Sequence, residues 1–487
     1  GVQTCALPIY EEDIYVGYRY FETIPGAADK VIYPFGYGLS YTQFSLTKPQ
    51  IRFDGDTAVA SVNVCNTGNY PGKEVVQVYY SAPQGRLGKP SRVLIGYRKT
   101  RRLLPGDTQT VVIRFAIDDM ASYDDLGKVK KSAWLLERGS YRFFIGTSVR
   151  DTVETEQTWE LDETRIVRQL TPKMVPTNLA KHMLSDGSYE ELPTSVCNDY
   201  NASILPRMAE DDMEFPAPAV RGVPRYQAFK PTDRPQLMEV AEGKRGLDDF
   251  IRQLPDEDLA HLLGGQPSTG LSNTWGIGNN PLFGIPNIMT EDGPAGLRFA
   301  PETGVTATAF PCATLLACTW DPELVYAVGA AGALEVKENN IQVWLTPAVC
   351  IHRSPLCGRN FEYFSEDPYL TGKMAAGLIK GIQSRNVGTS IKHFALNNQE
   401  HRRMSSSSDC DEKTIREIYF PGFEIAVKEA QPWTVMCSYN RINGVFASEN
   451  PWLLTDVLRK EWGFEGYVMS DWGAVSNRPA GVAAGLD

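Results

Sequence analysis

Between Thr57 and about Arg150 hydrophobic and polar positions alternate with a period of two. In VASVNVCNTG, Ala60, Val62 and Val64 face one way and Ser61 and Asn63 the other, before an Asn-Thr-Gly turn. VVQVYY, TVVIRFAI and GSYRFFIG repeat the habit between Gly, Pro and Asp punctuation. Side chains of a strand point alternately to its two faces, so short alternating runs with turns between them, over about 100 residues, predict a small β-sandwich. Such a module is read as structural or docking, without chemistry of its own. From Arg165 to Gln236 the rhythm stops, prolines recur and an acidic AEDDMEF appears. A stretch of that composition buries little and reads as a linker or an extended strap.

From Leu247 the period lengthens. LDDFIRQL sets Leu247, Phe250, Ile251 and Leu254 on one helical face, and Pro255-Asp256 opens a second helix with Leu259, Leu262 and Leu263. Strand-like runs IPNIMTEDG, IQVWLTPAV, TSIKHFALN, WTVMCSYN and GYVMSDWG then alternate with helical segments such as DPELVYAVGAAGALEVKE and WLLTDVLRKEW. Repeated strand-helix units predict a parallel sheet, and their number favours a (β/α)-barrel over an open doubly wound sheet. No GxGxxG or GxxxxGK[ST] follows any of these strands, which argues against a nucleotide, and no cofactor is expected.

Composition narrows the classes. At 487 residues the chain exceeds what one core usually serves, so two or three units are expected. A net charge of −11 argues against a nucleic-acid partner, which normally meets a basic stripe. No apolar window is long enough for a membrane span and no basic-then-apolar leader opens the chain, so no membrane partner is expected. Nine cysteines are scattered without a CxxC pair, so no zinc site or disulfide framework is expected; reduced, buried thiols suit a cytoplasmic setting.

Polar groups gather where the strands of the third zone end: Glu291-Asp292, Lys392-His393, Tyr439-Asn440 and Asp471-Trp472. On a barrel these ends share one rim, where active sites form. Each has a plain reading as well. Ser470 or Asp471 could cap the next helix, Lys392 could be paired structurally, His393 could be a satisfied core histidine, and Trp472 could be core. Together they suit a polyhydroxylated ring better than packing, because charged groups hydrogen-bond hydroxyls while an indole covers the apolar face of a sugar.

EDGPAGLR (Glu291 to Arg298), GRNFEYFSEDPYL (Gly358 to Leu370), KHFALNNQEHRR (Lys392 to Arg403), MCSYNRING (Met436 to Gly444) and VMSDW (Val468 to Trp472) together resemble the barrel domain of glycoside hydrolase family 3, in its β-glucosidase and β-xylosidase branch. The segment YVGYRYFETIPG…VIYPFGYGLSYTQF resembles the end of that family's α/β sandwich domain, and the zone after it resembles the fibronectin type III-like domain. The resemblance implies a permuted domain order and a chain truncated at both ends. Residues 1–44 would be a C-terminal remnant of the α/β sandwich domain, with 1–9 matching nothing in the family and read as non-native. Residues 45–160 would be the fibronectin type III-like β-sandwich, 161–240 the linker or strap, and 241–487 a (β/α) TIM-type barrel incomplete at its C-terminus.

The resemblance also implies roles. Asp471 would be the nucleophile of a retaining glycosidase that removes terminal non-reducing β-linked glucose or xylose through a glycosyl-enzyme intermediate, and nearby cations would keep it ionised. Asp292 would bind far hydroxyls, and Arg359, Lys392 and His393 would hold ring hydroxyls. Arg403 would support them, Met436 and Tyr439 would flank the nucleophile, and Trp472 would form an apolar wall. The expected partner is a small-molecule or oligosaccharide β-glycoside. No residue matches the family's acid/base Glu; Glu362 and Glu400 take supporting places in the motifs. The alternative is therefore a catalytically incomplete carbohydrate-binding fragment. A family 3 N-acetylglucosaminidase is disfavoured because its histidine-bearing loop motif is not visible in KHFALNNQE.

Overall fold

The computed structural model describes residues 9–171, 179–192, 234–268 and 270–487, so most of the proline-rich stretch lies outside the described residues. The period-two zone forms strands β1 (Phe44–Asp54), β2 (Thr57–Asn66), β3 (Val75–Ser81), β4 (Val93–Lys99), β5 (Thr108–Ala116) and β6 (Gly139–Gly146). One antiparallel sheet runs β1-β2-β5 and the other carries β6-β3-β4, with short strands Thr152–Glu154 and Trp159–Leu161 both paired to β6. Ala58, Ala60, Val62 and Val64 of β2 meet Val76, Val78 and Tyr80 of β3 and Tyr141, Phe143 and Ile145 of β6 in one core, as the alternation requires. Pairing continues past residue 160: Arg165–Gln169 adds to Ala133–Leu136, and Lys181–Met183 forms a hairpin with Tyr189–Glu191.

The third zone builds a sheet ordered β7 (Gly276–Asn280), β8 (Ile285–Glu291), β9 (Val343–Trp344), β10 (Gly388–Phe394), β11 (Thr434–Cys437) and β12 (Tyr467–Ser470). From β8 to β12 neighbours are parallel and in sequence order, whereas β7 is antiparallel to β8. An all-parallel sheet is therefore too simple a description. Asn280 leads through Pro281–Phe283 into Gly284, at φ 69°, and this tight reversal folds β7 back on β8. Among the described residues no pairing joins β12 to β7.

Helices α1 (Pro322–Glu338), α2 (Pro368–Gln383) and α3 (Pro421–Ala430) flank the sheet. Each of the first two starts with Pro at its first turn behind an Asp whose carboxylate caps it: Asp321 accepts Leu324 N–H at 3.1 Å and Asp367 accepts Leu370 N–H at 2.8 Å. Asp367 also joins the zones, because its other oxygen accepts the Tyr18 hydroxyl at 2.9 Å and pairs with Arg19 at 3.0 Å. Tyr123 of the sandwich zone similarly reaches Glu412 through its hydroxyl at 3.1 Å and Glu417 through its N–H at 2.7 Å. Helix α2 and its neighbours are thus held by residues more than 280 positions away.

Candidate active site

Because β8 to β12 are parallel, their C-terminal ends line one side of the sheet. Asp292 follows β8, Lys392 and His393 sit near the end of β10, Met436 lies in β11 with Tyr439 just beyond it, and Asp471 and Trp472 follow β12. Arg359 and Arg403 come from the long connections on the same side. These nine residues, all those given a catalytic or sugar-binding role from the sequence, line one cavity of about 470 Å³; Glu291, Asn440, Ser470 and Glu400, also noted there, do not line it.

Inside it the charges are ordered. Asp292 accepts Lys392 Nζ at 2.8 Å on one oxygen and Arg298 Nη2 at 2.6 Å on the other. Burial alone would raise its carboxyl, but Lys392 and Arg298 outweigh that and hold it below the ordinary value. Arg359 is paired with Glu362, and Arg403 donates to Glu400 at 2.8 Å while lying 4.6 Å above the Tyr439 ring centre. The Tyr439 hydroxyl donates to Trp472 O at 2.7 Å, fixing the turn that carries Asp471 and Trp472.

Asp471 Oδ1 accepts the Trp472 N–H at 2.8 Å, whereas Oδ2 is buried, has no hydrogen-bond donor in range among the described residues and faces His393 Nε2 at 3.6 Å, with the Tyr439 hydroxyl close enough to favour the ionised carboxylate. The helix cap is a different residue: Asn477 caps the following helix, Arg478–Ala484, by accepting Ala480 N–H at 3.0 Å. Besides the nearby cations expected to keep Asp471 ionised, burial acts on it in the opposite sense. Burial raises its carboxyl above the ordinary value, and the Trp472 N–H, Lys392 and Arg359 only reduce the rise. His393 is buried and driven well below the ordinary imidazole value, first by burial and then by Arg359, Lys392 and Arg403, so it is neutral at pH 7.

Glu362, given a supporting place by the motifs, also lines the cavity, while three polar lining residues escaped the sequence reading. Arg298 stands inside a quoted motif, and an Arg six places after Asp292 was a usable signal for a second partner to that carboxylate. Asn273 and Thr274 precede β7 in a loop with no motif, and only the β7-β8 reversal brings them to the rim. Glu291, fully buried beside Asp292, accepts Asn273 N–H at 3.2 Å, and burial pushes its carboxyl up to about 7. Among the described residues no group of three or more His, Cys, Asp or Glu side chains is placed to hold a metal ion. The cavity therefore offers a dense set of N–H donors, the buried Asp471 Oδ2 and an indole wall.

Residues 278–480 match the model of the glycosyl hydrolase family 3 N terminal domain, and residues 74–149 match that of a fibronectin type III-like domain. Beta-glucosidase A of Butyrivibrio fibrisolvens is 56% identical over 98% of this chain and 60% of its own length. A beta-glucosidase of Ruminococcus albus is 40% identical over 96% of this chain and 48% of its own. The solved structure of a beta-glucosidase from Paenibacillus barengoltzii superposes with a TM-score of 0.84 at 39% identity, over 95% of this chain and 51% of that one. The chain thus spans between about half and three fifths of the length of these relatives. With the domain match covering nearly all of the sheet that carries the cavity, and the likeness to these beta-glucosidases extending along nearly all of the sequence, residues 278–480 form a glycosyl hydrolase family 3 N terminal domain.

Proposed function

We propose that this chain forms the glycone-binding and nucleophile-bearing part of a retaining β-glycosidase that removes terminal β-linked glucose, with xylose as the second candidate sugar. The observation that carries the reading is the state of Asp471: a buried carboxylate with one oxygen fixed by Trp472 N–H and the other bare, in a cavity edged by Lys392, Arg359 and His393. Oδ2 would attack the anomeric carbon, the aglycone oxygen would leave with its electron pair, and water would later cleave the ester. Lys392, His393 and Arg359 would donate to ring hydroxyls, Asp292 would accept from those at the far side, and Trp472 would cover an apolar face. Arg403 would steady Tyr439, and Met436 would pack beneath the ring. We read the ordered parallel strands as part of a (β/α)-barrel, with the fibronectin-like and barrel units in permuted order.

A double displacement also needs an acid about 5 to 5.5 Å from the nucleophile. The other carboxylates lining the cavity, Asp292 and Glu362, are each held against cations. This favours, as a second reading, a chain that holds sugar well and turns over only glycosides with good leaving groups.

The test uses a leaving group that needs no acid. An activated aryl 2-deoxy-2-fluoro-β-glucoside and the matching xyloside are incubated with the chain, and the labelled peptide is found by mass spectrometry. An adduct on Asp471 supports the reading and gives the sugar preference. Labelling elsewhere, or none under conditions where the chain is folded, overturns it.

A further inference from the structure

Behind the cavity wall a line of polar groups leads away from Asp471. His393 turns Nε2 toward Asp471 Oδ2 and, on its far side, Nδ1 toward the Tyr363 hydroxyl at 3.3 Å. Tyr363 is wholly buried, outside the cavity lining. Its hydroxyl lies 3.3 Å from Asn397 O and accepts Asn397 Nδ2–H at 3.5 Å, while the same amide donates to Glu400 Oε1 at 3.1 Å.

A phenol has one hydrogen, and here two acceptors compete for it, His393 Nδ1 and Asn397 O. The choice fixes which imidazole nitrogen carries the only N–H of a neutral ring. If Tyr363 donated to the carbonyl, Nδ1 would hold the hydrogen and the Nε2 lone pair would face a carboxylate oxygen at 3.6 Å. If Tyr363 donates to Nδ1, Nε2–H faces that oxygen instead, and attraction replaces repulsion in a site screened from water. The Asn397 amide favours this second arrangement, because its N–H occupies a lone pair of the hydroxyl and leaves the phenol hydrogen free to turn toward the ring.

We propose that Tyr363 is a positioning residue: by donating its hydroxyl hydrogen to His393 Nδ1 it holds His393 as the Nε2–H tautomer, aimed at Asp471 and at the space where ring hydroxyls bind. The value of this for catalysis rests on the reading of Asp471 as nucleophile. The tautomer itself does not depend on that reading.

The test labels the chain with 15N-histidine and records both ring nitrogens of His393, one of five histidines, assigned by the signal lost in His393→Gln. The expected result is a neutral ring protonated on Nε2 at pH 7. In Tyr363→Phe the Nδ1–H form should gain population and labelling of Asp471 by the fluoroglucoside should slow roughly tenfold, the scale of one lost buried hydrogen bond. An Nδ1–H or charged ring in the unaltered chain overturns the proposal, and so does a Tyr363→Phe chain with an unchanged tautomer and labelling rate. Should Tyr363→Phe fail to fold, the spectrum of the unaltered chain decides, with Asn397→Ala expected to shift the tautomer in the same direction by less. If the unaltered chain is never labelled at Asp471, the glycosidase reading fails while the spectrum still decides the role of Tyr363.

Discussion

The two aspartates of the cavity occupy opposite electrostatic situations. Asp292 has both oxygens on cations and sits below its ordinary value; Asp471 has one oxygen bare and sits above it, since burial exceeds the pull of Trp472 N–H, Lys392 and Arg359. An attacking carboxylate must be ionised, so the rate of labelling by the fluoroglucoside should fall on the acid side at a higher pH than an ordinary aspartate would give. Lys392→Met removes one of the cations that restrain this rise. It should move that acid limb further up in pH and, with a charged hydrogen bond lost, slow labelling roughly 10- to 100-fold, as read from a pH-rate profile. Asp471→Asn should abolish labelling while leaving the fold intact, checked by mass spectrometry and circular dichroism. The motif residues were legible because carboxylates, a Lys-His pair, arginines and a Trp recur together where successive strands end, in motifs that resemble one family. The direction of the Asp471 shift was not, since burial belongs to a position in space and no local spacing reports it.

At the scale of elements, α1 and α2 begin alike, Asp-Pro with the Asp as cap, yet they are not equally costly to disturb. Asp321 is a cap near the surface, and Asp321→Ala should cost about 1 kcal/mol. Asp367 has a fully buried side chain and also receives Arg19 and Tyr18, so Asp367→Ala leaves a buried guanidinium without its carboxylate and should cost about 3 to 5 kcal/mol. Urea denaturation of the two variants side by side measures the difference; equal losses would mean that the contact between zones contributes nothing. The DP pair and the helical period were visible in the sequence for both helices. That one cap also holds a remote segment was not. The antiparallel β7 was missed for a related reason: Gly276–Asn280 is short, rich in Gly and Asn, and lacks strand periodicity, and its pairing with β8 rests on the turn at Gly284.

For the whole molecule, the hairpin Lys181–Met183/Tyr189–Glu191 acts as a clasp onto the zone that carries the cavity. His182 Nδ1 meets Asp411 at 3.3 Å and Nε2 meets Glu190 at 3.0 Å. Burial would lower the imidazole, but Asp411 and Glu190 outweigh it and raise His182 above 6.5, while Asp411 is held below 3.8 against its own burial by His182 and the Thr414 N–H. A group raised by folding contributes stability that is complete below its unfolded value and vanishes as pH rises through the folded one; a lowered carboxyl contributes above its unfolded value and loses it in acid. The clasp is therefore strongest between the ordinary values of the carboxyl and the imidazole, 3.8 and 6.5, and weakens as pH climbs past the latter. His182→Gln should flatten the fall in urea midpoint between about pH 6 and 8 relative to the unaltered chain. An unchanged slope would remove His182 from the account.

The sequence by itself determined what is local. Alternation in Ala58–Val64 specified a half-buried sheet, the run opening at Asp321-Pro322 specified the helix α1, and the motifs around Asp292, Arg359, Lys392, Arg403, Met436 and Asp471 carried every side chain first proposed for the cavity. Tertiary structure decided what depends on neighbours distant in the chain. Parallel pairing over separations of tens of residues brought those motifs to one rim, and the β7 reversal added Asn273 and Thr274. Packing around Asp471 removed the water that would have kept its carboxyl ordinary, and it set the buried Tyr363 against the back of His393. Periodicity and capping act within a few residues along the chain, whereas desolvation and charge coupling act through space, and only a folded chain defines that space.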